Sequence, residues 1–288
     1  LIFVAALLLA TTPPDALTAL DPQAVTRYNL IAGAIGIVSA LLVTATSVVM
    51  TRKYPGASGV ALAHTVPLLT AAAALRLSQS HWDTAGWGWT GLGLLIGALA
   101  VLTLPKRYRI SIAAPLVVGT VLAATGLLVR LGQLSQAGIS AILFALIIVL
   151  LQVAPWIALA HIPVRILDAD TTEQIPAKGI TDQVSNSFVF VVALRSGGAV
   201  AAIFLTISLM TAPEMRSVSL PLTLLMLGAV SLVLQTRSIR ARVEVLLGAL
   251  SGLIVILVAT VLGAYADPRT MPWLPLSAIA TALVLVVT

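Results

Sequence analysis

The chain has 288 residues, of which 59% are hydrophobic and only 9% are charged, with a mean hydropathy of +1.09. A soluble domain carries about a quarter of its residues as Asp, Glu, Lys or Arg, so this composition excludes a water-solvated globular protein. The net charge of +6 does not indicate nucleic-acid binding, because the basic residues lie singly or in short groups between apolar runs. Cysteine is absent, which excludes disulfides, thiolate metal sites and thiol nucleophiles.

Long apolar runs without period-two alternation predict transmembrane helices, because backbone polar groups in a bilayer must pair within their own segment. The predicted fold class is therefore all-α, a polytopic membrane bundle of about ten transmembrane helices. Short breaks rich in Pro, Gly and charge separate the runs. The predicted helices cover residues 1–12, 30–50, 57–75, 85–104, 111–129, 138–160, 187–210, 218–235, 243–265 and 272–288.

The distribution of Lys and Arg predicts the orientation, because these residues accumulate in cytoplasmic loops. If the first run enters from the cytoplasm, the inside loops hold ten basic residues and the outside loops, which include Arg76, hold five. We therefore expect a multi-pass plasma-membrane protein with the N-terminus of this segment in the cytoplasm.

The longest predicted connection, residues 161–186, is cytoplasmic in this orientation and holds four of the ten acidic residues. A connection of this length is often functional. A second cytoplasmic turn is rich in arginine. We expect both elements to contact partner proteins, through Asp168, Asp170, Glu173, Arg237, Arg240 and Arg242.

Catalytic and coupling groups are not evident. Every Asp and Glu is predicted in a loop or at a helix end, which argues against a carboxylate-coupled carrier. The pair Asp168 and Asp170 matches the DxD pattern of some glycosyltransferases, but three letters are weak evidence. We find no phosphate loop, zinc motif or Ser-His-Asp set. The chain is therefore expected to be no enzyme and to hold no cofactor or metal.

Two titratable residues fall within predicted helices. Arg195 is either a buried charge that binds an anion, a lipid headgroup or a partner carboxylate, or a residue near a helix start that extends to the cytoplasmic surface. His64 is either a proton relay or, more commonly, a hydrogen-bonding partner of a neighbouring helix.

Small residues recur at helical spacing in two runs. Such spacing lets helix backbones approach closely, within one chain or between chains. The candidate helix-packing residues are Gly86, Gly91, Gly93 and Gly97 in one run, with Gly88 among them, and Gly248 and Gly252, which have GxxxG spacing, in another.

Three stretches of the chain follow one another in a recognisable order. They are the small-residue segments 28–36 and 61–69, the helix 154–165 that runs into the long loop, and the arginine-rich turn and helix 234–248. In this order they resemble EccD, the polytopic membrane subunit of the actinobacterial type VII (ESX) secretion system. The resemblance covers most of the chain as an overall pattern. It implies eleven transmembrane helices after a cytoplasmic ubiquitin-like domain, so we expect this chain to be part of a longer protein.

The resemblance also implies a function. EccD subunits are structural: two copies pair around a lipid-filled vestibule and contact the subunits EccB, EccC, which is an FtsK-like ATPase, and EccE. The expected partners are therefore these three subunits, a second copy and membrane lipids. A small-molecule permease or lipid exporter that uses Arg195 is the main alternative, and a glycosyltransferase that uses Asp168 and Asp170 is a third hypothesis.

Overall fold

The computed structural model describes residues 22–53, 57–78, 84–102, 112–132, 134–160, 177–214, 217–235 and 242–267. These residues form eight α-helices and, within the described ranges, no strand. The helices are α1 (Pro22–Lys53), α2 (Ala57–Leu77), α3 (Thr84–Val101), α4 (Ala113–Gly132), α5 (Gln136–Ala160), α6 (Ala177–Met210), α7 (Ser219–Leu234) and α8 (Arg242–Ala266).

The predicted all-α membrane bundle is confirmed. Six of the described helices are long and apolar enough to cross a bilayer, while α2 and α7 contribute the shorter apolar segments Ala61–Leu77 and Ser219–Leu234. The eight helices correspond to eight of the ten predicted runs. The other two, residues 1–12 and 272–288, lie outside the described residues.

Two helices begin earlier than their apolar runs. α1 starts at Pro22 rather than near residue 30, and α6 starts at Ala177 rather than at residue 187. Residues 177–186 are therefore helical and not part of a long connection. Apolarity predicts where a chain crosses the membrane, whereas a helix can extend beyond its apolar run through polar residues, as α6 does through the sequence AKGITDQVSN.

Hydroxyl groups inside the helices bond to the carbonyls of their own helix. Thr125 Oγ1 donates to Val121 O over 2.8 Å, and Thr206 Oγ1 donates to Ala202 O over 2.8 Å. Both side chains are completely buried. Because each hydroxyl donates a hydrogen bond to the carbonyl four residues earlier in its own helix, Ser and Thr add little polarity to the bundle. They can therefore line tightly packed or apolar surfaces.

The chain divides into two compact units, Leu1–Leu143 with Thr211–Arg216, and Phe144–Met210 with Ser217–Thr288. In the first unit α2 packs along α1 and α3, and α4 packs along α3. In the second unit α8 packs along both α6 and α7. Helix α5 supplies residues to both units, and Phe144, the first residue of the second, is fully buried.

Candidate functional site

Glycines on one face of α3 bring this helix into backbone contact with α4. A Cβ atom built on Gly91 would lie 2.7 Å from the carbonyl oxygen of Gly119, and one built on Gly126 would lie 2.5 Å from the carbonyl oxygen of Thr84. No real Cβ atom tolerates such distances. At positions 91 and 126 only glycine lets the two helices come this close. Small residues at helical spacing favour such a close approach in membranes.

A second glycine face of α3 lies against α2. A Cβ atom on Gly93 would be 2.5 Å from the carbonyl oxygen of Thr70, and one on Gly97 would be 2.5 Å from the Cα atom of Pro67. Helix α3 is therefore held between α2 and α4 by two different glycine pairs. The sequence predicted close helix packing either within one chain or between two copies, and Gly91, Gly93 and Gly97 make these contacts with helices of the same chain.

The remaining predicted glycines have simpler surroundings. Gly86 is buried, and its carbonyl accepts a hydrogen bond from Thr90 Oγ1 over 2.7 Å. The carbonyl of Gly248 accepts one from Ser251 Oγ over 3.0 Å. A Cβ atom on Gly252 would lie 2.6 Å from Val233 Cγ2, so this glycine brings α8 close to α7.

Arg195 lies inside α6, between Ala177 and Met210, and only 8% of it is exposed. The hypothesis that a helix starts near this residue and lets it extend to the surface is therefore wrong. The hypothesis was wrong because α6 already begins at Ala177, well before the apolar run that starts at residue 187. Arg195 falls within the apolar span Ser187–Met210, where a buried cation is costly and needs polar surroundings.

A second buried arginine was misplaced by the sequence prediction. Arg76 was assigned to an outside loop, but it lies in the last turn of α2 with 6% of its surface exposed. Its Nη1 atom donates to Asn29 Oδ1 over 3.1 Å, and its guanidinium lies 5.8 Å from the centre of the Tyr28 ring. We call Tyr28, Asn29 and Arg76 the arginine clamp, because they join α1 to α2. The apolar run 57–75 ends just before Arg76, so run length alone could not place this residue.

One further polar contact joins two helices of the second unit. Gln152 Nε2, on α5, donates to Ser231 Oγ, on α7, over 2.6 Å. Both residues occur in otherwise apolar segments, and a side-chain hydrogen bond is the usual way for such residues to pair in a membrane. No feature of the sequence predicts that these two side chains meet, since the two positions are far apart along the chain.

The six predicted partner contacts are not part of the described geometry. Asp168, Asp170, Glu173, Arg237 and Arg240 lie outside the described residues, and only the backbone of Arg242, at the start of α8, is described. The DxD pair therefore stays a sequence observation. Among the described residues, no three His, Cys, Asp or Glu side chains come together in a way that could hold a metal ion.

The distribution of charge in the described spans is nonetheless informative. No Asp or Glu occurs in the six candidate spans or in the two shorter apolar segments. His64 lies half-buried on α2. The polar groups within these spans are thus those of arginine, lysine, histidine, tryptophan, amide and hydroxyl side chains, none of which is the carboxylate that proton- or sodium-coupled carriers usually keep in the membrane.

Comparison with known proteins identifies the fold. No family model and no curated protein matches the sequence. Solved structures do match: protomer 1 of the ESX-3 core complex has a TM-score of 0.66 at 16% identity over 99% of this chain. A chain of the MycP5-free ESX-5 inner membrane complex, State II, has a TM-score of 0.67 at 17% identity over 98% of this chain.

These likenesses extend over nearly the whole chain but not over the whole of the matched chains. This chain spans 64% of the ESX-3 chain and 70% of the ESX-5 chain. At such low identity the agreement establishes a shared fold, and it agrees with the family resemblance found in the sequence. The fold is the one found in protomer 1 of the ESX-3 core complex and in the matched chain of the ESX-5 inner membrane complex.

Proposed function

We propose that this chain is an EccD-type structural subunit of a type VII (ESX) secretion complex in the inner membrane. The observation that carries the proposal is the fold, shared with ESX-3 and ESX-5 complex subunits over 98–99% of the chain. In this role the chain performs no catalysis. It forms a rigid helical support that pairs with a second copy around a lipid-filled vestibule, and it contacts EccB, EccC and EccE.

The packing of α2, α3 and α4 supports a static role. Two glycine faces hold α3 against both neighbours at backbone distance, which leaves little freedom for one helix to slide past another. The absence of Asp and Glu from the described spans further supports a scaffold over a coupled carrier.

The partner contacts of this proposal lie on the cytoplasmic side. The acidic residues Asp168, Asp170 and Glu173 and the arginines Arg237, Arg240 and Arg242 are the surfaces expected to meet other subunits. Exposed ion pairs contribute only about 0–1 kcal/mol each, so single substitutions are too weak a test. The test is a triple change to Asn or Gln in each element, followed by affinity purification from native membranes.

The expected result is that the triple variants reach the membrane at normal levels but recover less of the other subunits. The matched control replaces three basic residues predicted on the outer side, Arg130, Arg216 and Arg269, by Gln. An equal recovery of subunits by all three variants would contradict the assignment of these surfaces.

Arg195 supports a second candidate function, a permease or lipid exporter. A cation buried within a span can bind an anionic substrate during transport. On this hypothesis, liposomes that contain only the purified protein move a substrate, and Arg195→Ala stops the movement. A scaffold shows no such movement, and the same substitution then affects only its stability.

A further inference from the structure

An elongated apolar groove runs along the outside of α1, α2 and α3. Its volume is about 310 Å³, and it exists because small residues on all three helices, including Ala40, Ala74 and Gly93, leave space between larger neighbours. Ile37, Leu41 and Ile96 form its rims and are exposed, so the groove opens outward and is not an internal cavity. Helices α1 and α3 are candidate membrane spans, so we expect this opening to face hydrocarbon.

The lining of the groove has no free polar group to hold water. Its two hydroxyls are internally bonded, Thr44 Oγ1 to Ala40 O over 2.7 Å and Thr70 Oγ1 to Val66 O over 3.0 Å. A bound water needs two to four polar partners. An empty groove of this size forfeits dispersion contacts along its walls. The groove therefore favours an apolar occupant.

The dimensions of the groove select the kind of occupant. A whole helix is about 10 Å wide with its side chains and does not fit inside the groove, although single side chains of a docked helix could enter it. About ten groups of the size of a water molecule or a methylene fill this volume. The lining on α2 extends from Val66 to Leu77, which corresponds to about 16 Å at 1.5 Å per residue. One leaflet of hydrocarbon is about 15 Å thick. The groove thus matches a single acyl chain of one leaflet.

The Leu77 end of the groove adjoins the arginine clamp. Arg76 directly precedes Leu77, and Arg27, which is exposed, directly precedes Tyr28. This end lies at the N-terminus of α1 and the C-terminus of α2, where we expect the two helices to reach the membrane surface. Arg27 is the exposed cation at this end, and the half-buried phenol of Tyr28 and amide of Asn29 follow it in α1, so these three groups provide donors that a lipid phosphate prefers, while the buried Arg76 holds Tyr28 and Asn29 in place.

We infer that the groove binds one acyl chain of a membrane phospholipid, with the lipid phosphate at Arg27, beside the arginine clamp. The site belongs to one chain and does not depend on the proposed secretion complex, on pairing of two copies or on the vestibule between them. Failure of this inference would therefore leave the proposed function unaffected.

The test is native mass spectrometry of the full chain in mild detergent, titrated with dioleoylphosphatidylglycerol. Thr44→Phe fills the groove, whereas Thr46→Phe changes an exposed threonine of the same helix with the same type of hydroxyl bond, to Leu42 O over 2.8 Å. We expect Thr44→Phe to lose one bound lipid per chain, and the wild type and Thr46→Phe to retain it. Equal lipid occupancy in all three proteins would overturn the inference.

A second pair of variants guards against a folding defect in Thr44→Phe. Ala100→Phe fills the groove from α3, and Leu99→Phe changes the adjacent exposed residue. Loss of the lipid from Ala100→Phe, with the lipid retained by Leu99→Phe, supports the inference. Loss of the lipid from both variants overturns it. A change from dimer to monomer in Ala100→Phe without loss of lipid would instead identify a second copy as the occupant and also overturn it.

Dioleoylglycerol, which has the same acyl chains but no phosphate, tests the headgroup end. We expect it to bind at least fivefold more weakly than the phospholipid, and Arg27→Gln to remove most of that difference. Equal binding of the two lipids by the wild type would overturn the phosphate assignment.

Discussion

At the residue scale, the structure distinguishes glycines that share one sequence pattern. Gly88 and Gly91 both lie buried on α3, but only the second would drive a Cβ atom into the backbone of α4. A Cβ atom on Gly88 would lie 3.5 Å from its nearest neighbours, the C and Cα atoms of Gly126, which is an ordinary contact. The two positions therefore form a matched pair in one helix.

Gly91→Ala is expected to destabilise the protein by about 1–3 kcal/mol, because the new methyl group overlaps backbone atoms that cannot move aside. Gly88→Ala is expected to leave stability nearly unchanged. Thermal unfolding in detergent, followed by helix content, measures both variants. Equal unfolding midpoints for Gly91→Ala and Gly88→Ala would show that α3 and α4 lie further apart than they do in this structure.

The arginine clamp gives a second prediction at this scale. Asn29→Ala removes the acceptor of the bond from Arg76 Nη1 and leaves that donor buried. A lost hydrogen bond to a charged group costs about 1.5–3 kcal/mol, so the unfolding midpoint should fall.

Tyr28→Phe is the control for this prediction, because it keeps the aromatic ring against the guanidinium and removes only the hydroxyl. Its midpoint should stay close to that of the wild type. A larger loss of stability in Tyr28→Phe than in Asn29→Ala would contradict the described geometry of the clamp.

At the scale of helices, α8 approaches α7 through Gly252. A Cβ atom there would meet Val233 Cγ2 at 2.6 Å and Ala229 O at 2.9 Å, whereas one on Gly263 would meet nothing closer than the flexible end of Met210, at 3.4 Å. Gly252→Ala should therefore lower the unfolding midpoint clearly more than Gly263→Ala. If Gly263→Ala proved the more destabilising, the register of α8 against α7 would have to differ from the one observed.

The sequence predicts the helices well and their contacts poorly, for physical reasons. Apolar runs reveal eight described helices because burial in hydrocarbon requires such runs. They do not reveal that α6 begins at Ala177, because its polar first turns resemble a loop. The pattern of glycines on α3 predicts close packing, but spacing alone does not say that Gly91 faces α4 while Gly93 faces α2. Arg76 was placed in a loop because its burial depends on Asn29 and Tyr28 of another helix.

At the scale of the whole molecule, the predicted orientation can be tested directly because the natural sequence has no cysteine. Ser135, between α4 and α5, and Lys53, at the end of α1, are both exposed. In intact cells, a membrane-impermeant maleimide should label Ser135→Cys and spare Lys53→Cys until the membrane is opened. The reverse labelling pattern would place the N-terminus of this segment outside the cytoplasm.

The fold relates this chain to ESX complexes, and a shared fold alone does not establish a shared assembly. In the proposed function the chain is a support, which is consistent with α3 being locked on two faces. The central claim of that proposal is that the chain works as part of a larger complex.

The most direct test is affinity purification of the full-length protein from its native membrane in mild detergent, with native-gel sizing and mass spectrometry of the recovered proteins. The proposed function predicts a megadalton complex that contains an FtsK-like ATPase. A small homo-oligomer without other subunits would contradict it and would make Arg195 the first residue to test for transport.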